Sequence, residues 1–196
     1  VNVENGDAPI FRSFLPSTSP TRIFPRIEAL VSGTVEPGEI LPAQERIMSF
    51  RLNVRDNNVL SGFGGGNFDF TEVTIAAAGP FRVTAPNGGE SLAPGASLEV
   101  TWDVAGTDAA PVSCAAVDIS LSSDGGFTYP ATLATAAPNT GSASVKLPGE
   151  AAPQSSIRVD CNGNIFFDIS DQDFSVGNAS KSARFGGALN PLLLIG

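Results

Sequence analysis

The sequence predicts an all-β protein, and two observations lead to that fold class. Apolar and polar residues alternate with a period of two in several short runs, which is typical of strands that bury one face of a sheet. Turn-forming residues separate these runs, for example PNGGE at 86–90 and SDGG at 123–126. The chain shows no long helical period, so the pattern favours a β-sandwich.

Residues 79–177 carry the clearest strands. In LEVTWDV, the apolar residues from Leu98 to Val104 fall on one face and the polar residues on the other. The same alternation recurs in VDISLSS, ASVKL and IRVDC. With FRVT at 81–84 as the first strand and DFSVG at 173–177 as the last, the region has about seven strands, the usual number for an Ig-like domain. We therefore predict a complete Ig-like or fibronectin-III-like β-sandwich over residues 79–177.

The two cysteines provide a check on this layout. Cys114 precedes the predicted strand 117–121, and Cys161 ends the predicted strand 157–161. If these are the third and sixth strands of an Ig-like topology, they are antiparallel neighbours and the two sulfur atoms lie close together. We predict a disulfide between Cys114 and Cys161, and with it an oxidising compartment. The alternative is a pair of buried free thiols.

The sequence of residues 1–78 predicts a second structural unit. MSFRLNV places Met48, Phe50, Leu52 and Val54 on one face, FTEVTIA at 70–76 alternates in the same way, and a Gly-rich loop lies between the two runs. This is typical of the closing hairpin of an Ig-like module, so we predict a partial module whose opening strands are missing. A short helix is predicted around 26–30. Residues 178–196 are predicted to be a linker and an apolar C-terminal stub.

Charge and composition exclude several classes of function. The chain has 11 basic and 20 acidic residues and a net charge of −9, which argues against a nucleic-acid partner. It has no histidine, which removes the Ser-His-Asp triad, the Cys-His dyad and histidine-ligated zinc. We therefore predict that this chain is not itself an enzyme; a hydrolase that uses two carboxylates is a remote alternative.

Two acidic stretches are candidate calcium sites, because Ca²⁺ takes six to eight oxygen ligands. The first consists of Asp168, Asp171 and Asp173; the alternative is a tight turn in which these carboxylates cap backbone N–H groups. The second candidate site lies at the start of the Gly-rich loop. The alternative is an ordinary polar loop that binds no metal. The members of this second site are Asp56, Asn57 and Asn58.

Some phenylalanines are candidates for surface contact with a peptide or a sugar. Phe63 lies in the Gly-rich loop, whereas Phe68 or Phe70 is predicted to begin the return strand and pack inward. Phe166 and Phe167 are neighbours, so in an extended strand one faces the core and the other the surface. We take Phe166 as the surface candidate.

Several segments carry a resemblance to a known family. They are GDAPIFRSFLPSTSPTRIFPRIEAL at 6–30, ILPAQERIMSFRLNVRDN at 40–57, GPFRVTAPNGGESLAPGASLEVTWDVAGT at 79–107, VDISLSSDGGFTYPATLA at 117–134 and NIFFDISDQDFSV at 164–176. Together they resemble the C-terminal region of secreted bacterial reprolysin-like zinc metallopeptidases. In that family the catalytic domain lies upstream and carries His-Glu-x-x-His-x-x-Gly-x-x-His. This chain has no such motif, so no catalytic or zinc residue carries over.

The resemblance implies a non-catalytic pair of Ig-like or fibronectin-III-like modules that positions an upstream protease domain of the same polypeptide. The implied setting is a secreted or cell-surface protein of a Gram-negative bacterium, with zinc only in the protease domain and contact with a protein or glycan surface. A stand-alone adhesin-like or carbohydrate-binding module is the alternative. The tail GGALNPLLLIG at 186–196 resembles the start of a Gly-Gly sorting signal that enters the membrane transiently; a short apolar stub is the alternative.

Overall fold

A computed structural model of the chain describes residues 11–13, 15–19, 21–56 and 64–177, and the backbone alone of residues 194 and 195. Strands make up most of the regular structure in these residues, and the helix that accompanies them is α1 (Ile27–Ser32). The predicted all-β fold class is confirmed. Among the described residues, no helix is both long and apolar enough to cross a membrane.

Two sheets form a sandwich between residues 82 and 176. The first sheet has the order β3 (Arg82–Ala85), β5 (Ser97–Asp103), β8 (Ser142–Lys146). The second has the order β4 (Ser91–Leu92), β11 (Phe174–Val176), β9 (Ala152–Cys161), β6 (Ala116–Ser122), β7 (Ala131–Pro138), and β10 (Phe167–Ile169) also pairs with β9. These strand pairs are antiparallel except β4 with β11, which is parallel.

The alternating residues of both sheets meet in one core. Val100 on β5 and Ile119 on β6 are fully buried, because the period of two turns every second side chain inward. Trp102 is 3% exposed and donates its indole N–H to Oδ1 of buried Asn139 at 2.7 Å. The core tryptophan therefore has a hydrogen-bond partner, as a buried indole N–H usually does.

The predicted disulfide is confirmed. Cys114 and Cys161 are bonded, with their Cα atoms 5.9 Å apart. The strands β6 and β9 are antiparallel neighbours and pair Val117 with Cys161, so the start of one strand lies beside the end of the other. The bond closes a loop with a sequence separation of 47 residues, which in the chain-entropy model stabilises the fold by about 4 kcal/mol.

The remaining strands form a smaller sheet. Its order is β1 (Arg46–Arg55), β2 (Gly66–Ile75), β12 (Leu194–Ile195), with antiparallel pairing throughout. Met48, Val73 and Ile75 are buried at its base. Ala76, the residue after β2, belongs to the core of the sandwich, so the chain passes directly from the hairpin into the larger unit.

The burial of β1 differs from what its alternation suggests. Met48, Phe50, Leu52 and Val54 do share one face, but Leu52 is 66% exposed and Val54 is 57% exposed. The physical reason is that the small core lies only at the base of the hairpin, against Met48, Val73 and Ile75. The outer half of the hairpin has apolar side chains without a core to receive them.

Candidate contact surface

The outer half of the β1–β2 hairpin is the most apolar exposed surface of the described residues. Large hydrophobic side chains are at least half exposed at nine described positions, and five of these lie on the two strands. They are Ile47, Leu52, Val54, Phe68 and Phe70. Single exposed apolar residues are ordinary, but a contiguous group on one element is typical of a contact surface.

The register divides this surface into two faces. Leu52 and Val54 lie opposite Asp69 and Asn67, so they share one face of the hairpin. On the other face Arg51 lies opposite Phe70, and Asn53 lies opposite Phe68. Both phenylalanines are exposed, so the prediction that Phe68 or Phe70 packs inward is wrong. No second sheet layer covers this face among the described residues, and the rings have no core to enter.

Arg51 organises the aromatic face. Its guanidinium carbon lies 4.0 Å from the centroid of the Phe68 ring and 5.7 Å from that of Phe70. The two rings are 5.5 Å apart at an interplanar angle of 77°. Edge-on rings beneath a cation hold each other in place, and they do not form a flat platform.

The base of the hairpin is fixed by an aromatic cluster. Phe50 on β1 contacts Phe11 and Phe24, with ring centroids 5.8 and 5.4 Å away. Phe11 and Phe24 are 4.6 Å apart. The segment before β1 therefore packs against the hairpin and holds its lower half rigid.

A buried carboxylate ties the same segment together. Glu39 is 1% exposed, and its Oε2 accepts the backbone N–H of Arg26 at 2.8 Å. Its Oε1 lies 3.9, 3.8 and 3.7 Å from guanidinium nitrogens of Arg12, Arg22 and Arg26. Glu36 pairs with Arg12 and, at 2.9 Å, with Arg26. The guanidinium groups offset the buried charge of Glu39, but its Oε1 has no hydrogen-bond partner among the described residues.

The residues of the first predicted calcium site have other partners. Oδ2 of Asp168, on β10, accepts the backbone N–H of Val83 at 2.7 Å, so the carboxylate joins the two sheets at their edge. Asp171 exchanges hydrogen bonds with Asn87: its Oδ2 accepts the amide Nδ2 at 2.7 Å, and its backbone N–H donates to Oδ1 at 2.6 Å. The backbone carbonyl of Asp173 accepts the N–H of Gly89 at 3.0 Å.

The Asp168 carboxylate caps a backbone N–H, as in the alternative, whereas the Asp171 carboxylate accepts from the side-chain amide of Asn87. Among the described residues, no group of three or more His, Cys, Asp or Glu side chains is arranged to hold a metal ion. The calcium site at Asp168, Asp171 and Asp173 stays a prediction. The sequence pattern did not show these contacts, because Val83 and Asn87 are distant in sequence.

Burial controls the charge of Asp168. Desolvation raises the pKa of this carboxyl from 3.8 to about 7, against the opposing effect of the N–H groups of Val83 and Ile169. The charge of Asp171 adds to the rise, and that of Arg82 reduces it. Asp168 therefore titrates near neutral pH.

Of the second predicted calcium site, only Asp56 lies within the described residues. Its Oδ1 accepts the N–H of Gly65 at 3.0 Å, while its own N–H donates to the carbonyl of Gly65 at 3.1 Å. Asp56 thus closes the end of the hairpin ladder. Asn57 and Asn58 lie outside the described residues, as does Phe63, the first predicted surface aromatic.

The second predicted surface aromatic was the wrong one of its pair. Phe166 is 6% exposed and packs edge-on against Phe81 in the sandwich core, with centroids 5.3 Å apart. The neighbouring Phe167 faces outward from β10, with the guanidinium carbon of Arg158 3.7 Å from its ring centroid. The alternation predicts one inward and one outward ring, but not which is which, because both phases place a phenylalanine inside.

The sequence pattern did not single out the polar cluster around Arg158. Arg158 pairs with Asp160 on the same strand, and Asp160 lies opposite Asp118 on β6. Desolvation raises the pKa of Asp160, Arg158 opposes the rise, and Asp118 adds to it. Arg158 covers Phe167 and neutralises one of the facing carboxylates. The sequence indicates this cluster only by a basic residue beside an acidic one on the outward face of IRVDC.

The turn between β6 and β7 is held by Asp124. Its Oδ1 accepts the N–H groups of Phe127 and Thr128 at 3.1 and 2.9 Å and the hydroxyl of Ser122 at 2.7 Å. Its Oδ2 accepts the hydroxyl of Thr128 at 2.6 Å. Desolvation alone would raise the pKa of Asp124, but these hydrogen bonds outweigh it and lower the pKa to about 2. The carboxylate is part of the turn.

Comparison with known proteins identifies no relative. No protein-family model, no curated protein and no solved structure matches the chain.

Proposed function

We propose that this chain is the non-catalytic accessory region of an exported zinc metallopeptidase, and that it positions the protease domain of the same polypeptide. The observation that carries the proposal is the exposed apolar hairpin surface, on which Leu52 and Val54 lie on one face and Phe68 and Phe70 on the other. A patch of this kind is typical of a surface that contacts protein.

The rest of the proposal follows from the resemblance of the quoted segments. Zinc would be held by the upstream domain, and residues 79–177 would be an Ig-like or fibronectin-III-like sandwich that acts as a rigid spacer. The Cys114–Cys161 bond is compatible with an oxidising compartment.

A carbohydrate-binding or adhesin-like module is the second candidate. Phe68 and Phe70 share one sheet face, as the aromatic residues of a sugar platform do. The guanidinium of Arg51 lies over Phe68, however, and the two rings stand at 77°. A sugar ring stacks on a flat open aromatic face, so this geometry gives the protein-contact proposal the stronger support.

The first test is to read the parent gene on both sides of this chain. We expect His-Glu-x-x-His-x-x-Gly-x-x-His upstream. A gene with only further β modules, or none, would contradict the protease proposal, and binding to glycan arrays would then test the second candidate.

The second test uses the full-length protease. The double variant Leu52→Ser with Val54→Ser removes two exposed apolar side chains from the hairpin, and we expect it to release the protease domain and change kcat/KM on a protein substrate by about fivefold or more. Leu15→Ser is the matched control, because Leu15 is 90% exposed but lies outside the hairpin. Equal activity of the two variants would contradict a positioning role for the hairpin.

A further inference from the structure

Among the described residues, no strand pairs with the outer edge of β1. In the order β1–β2–β12 it is the end strand of its sheet, so one side of its backbone faces β2 and the other faces away. The hydrogen bond from the N–H of Asp56 to the carbonyl of Gly65 shows that this pair is a hydrogen-bonded pair of the ladder. In an antiparallel ladder, hydrogen-bonded and non-hydrogen-bonded pairs alternate.

The alternation identifies which backbone groups reach the open edge. Even-numbered residues of β1 bond to β2, and odd-numbered residues direct their N–H and C=O groups away from it. All five odd-numbered residues are exposed. They are Ile47, Ser49, Arg51, Asn53 and Arg55.

The chemistry of this edge is basic on one face and apolar on the other. Arg51 and Arg55 flank Asn53 on the first face, while Leu52 and Val54 lie on the second. β1 contains three arginines and no acidic residue, in a chain whose net charge is −9. The edge is therefore positive where most of the molecule is negative.

A second copy of the chain is a poor occupant for this edge. Two β1 strands side by side would bring three arginines from each copy together, and like charges opposite each other in a sheet are destabilising. An acidic strand would instead be attracted.

We propose that β1 binds an extended acidic segment of a partner protein, which adds to the sheet as a further strand. Alternate side chains of that segment are Asp or Glu facing Arg51 and Arg55, and the intervening ones are apolar and cover Leu52 and Val54. The backbone of the segment bonds to the outward groups of β1, the mode by which peptides add to sheet edges. The inference rests on the proposed function in taking the hairpin as the contact surface; it does not require a protease.

Two features of the hairpin favour the addition of a strand at β1. Its opposite edge already carries an added strand, since Leu194 and Ile195 pair with Ile75 and Thr74 of β2. Its base is held by the ring cluster of Phe11, Phe24 and Phe50. A sheet that is already packed at its base loses less entropy when a strand binds than one that must first become ordered.

The test uses the full chain and a synthetic peptide of about nine residues in which Glu and Val alternate, matching a strand of β1's length. A peptide of the same composition with Glu and Val in separate blocks is the control. Hydrogen exchange is followed at single amides. We expect the alternating peptide to protect the amides of Ile47, Ser49, Arg51, Asn53 and Arg55, with even-numbered amides unchanged, because those already bond to β2.

Three variants separate the contribution of backbone pairing from that of charge. Asn53→Pro removes an outward N–H without removing a bond to β2, and we expect it to weaken binding about tenfold, whereas Asn53→Ala stays within about twofold. Arg51→Glu with Arg55→Glu should weaken binding roughly five- to tenfold and reduce its dependence on salt. Exchange at the even-numbered amides checks that each variant keeps its hairpin.

No protection at the odd-numbered amides, or equal affinity of Asn53→Pro and Asn53→Ala, would overturn the proposal. Equal binding of the blocked peptide would do so as well, since it would show charge attraction without strand addition. These outcomes are independent of what the parent gene encodes, so they can fail while the protease proposal stands.

Discussion

Asp168 makes the stability of this protein depend on pH at the level of one side chain. Its folded-state pKa of about 7 lies above the ordinary value of 3.8, so the folded protein keeps a proton that the unfolded chain has already released. The free energy that this group contributes is complete below about pH 4 and is lost as the pH rises through 7. Asp124 acts in the opposite direction, because its pKa is lowered to about 2 and its contribution is lost only in strong acid.

The substitution Asp168→Asn should remove the loss of folding stability at high pH. The amide oxygen can still accept the N–H of Val83, and no charge has to be buried above pH 7. At about 1.4 kcal/mol per pKa unit, we expect the variant to be more stable than the natural chain by roughly 2–4 kcal/mol at pH 8 and nearly equal to it at pH 4. Urea unfolding at the two pH values measures this.

Asp168→Ala is the control for that experiment. It loses both the charge and the acceptor of the Val83 N–H, so it should be less stable than Asp168→Asn at every pH. If Asp168→Asn shows the same pH dependence as the natural chain, Asp168 is not the group that titrates.

At the scale of elements, the ion network around Glu39 holds the segment before β1 against the hairpin. Glu39→Gln removes the counter-charge from Arg12, Arg22 and Arg26. We expect a loss of roughly 1–2 kcal/mol in the local stability of this segment, because three arginines lose a shared counter-charge while water still screens their partly exposed side chains. Hydrogen exchange in α1 and limited proteolysis between residues 11 and 45 measure the effect.

Glu36→Gln is the matched variant. The side chain of Glu36 is 25% exposed, whereas that of Glu39 is 0% exposed, so water compensates part of its loss and the cost should be about 1 kcal/mol or less. Equal effects of the two substitutions would show that burial does not set the strength of this network.

The elements also show how far sequence alone reaches. The disulfide was predictable, because the alternation in VDISLSS and IRVDC fixes the ends of two strands and a common topology makes them neighbours. The exposure of Leu52 and Val54 was not, because a period of two defines a face but not what covers it. The role of Asp168 was equally hidden: its partner Val83 is 85 residues away, and only the folded chain brings the two together.

Which of Phe166 and Phe167 is buried could not be predicted for a similar reason. Either phase of the alternation places one large ring in the core, and the choice depends on the position of Phe81 across the sandwich. The loop that contains Asp124 was recognisable as a turn from its Ser, Asp and Gly residues. The number of hydrogen bonds that the Asp124 carboxylate accepts was not recognisable from the sequence.

At the scale of the whole molecule, the Cys114–Cys161 bond ties β6 to β9 in the centre of the larger sheet. The double variant Cys114→Ser with Cys161→Ser should lower the free energy of unfolding of the sandwich by about 2–5 kcal/mol. Chemical denaturation with and without a reducing agent measures this. A reductant that lowers the midpoint of the natural chain but not that of the double variant would assign the effect to the disulfide.

Trp102 and Tyr129 are the one tryptophan and the one tyrosine of the chain, and both belong to the sandwich. Intrinsic fluorescence excited near the tryptophan absorption band therefore reports the larger unit alone. The hairpin unit contains phenylalanines, which are silent under that excitation, so it could open fully while the optical signal stays constant. A melting curve recorded by fluorescence and one recorded by calorimetry would then differ, and their difference would isolate the unfolding of the hairpin unit.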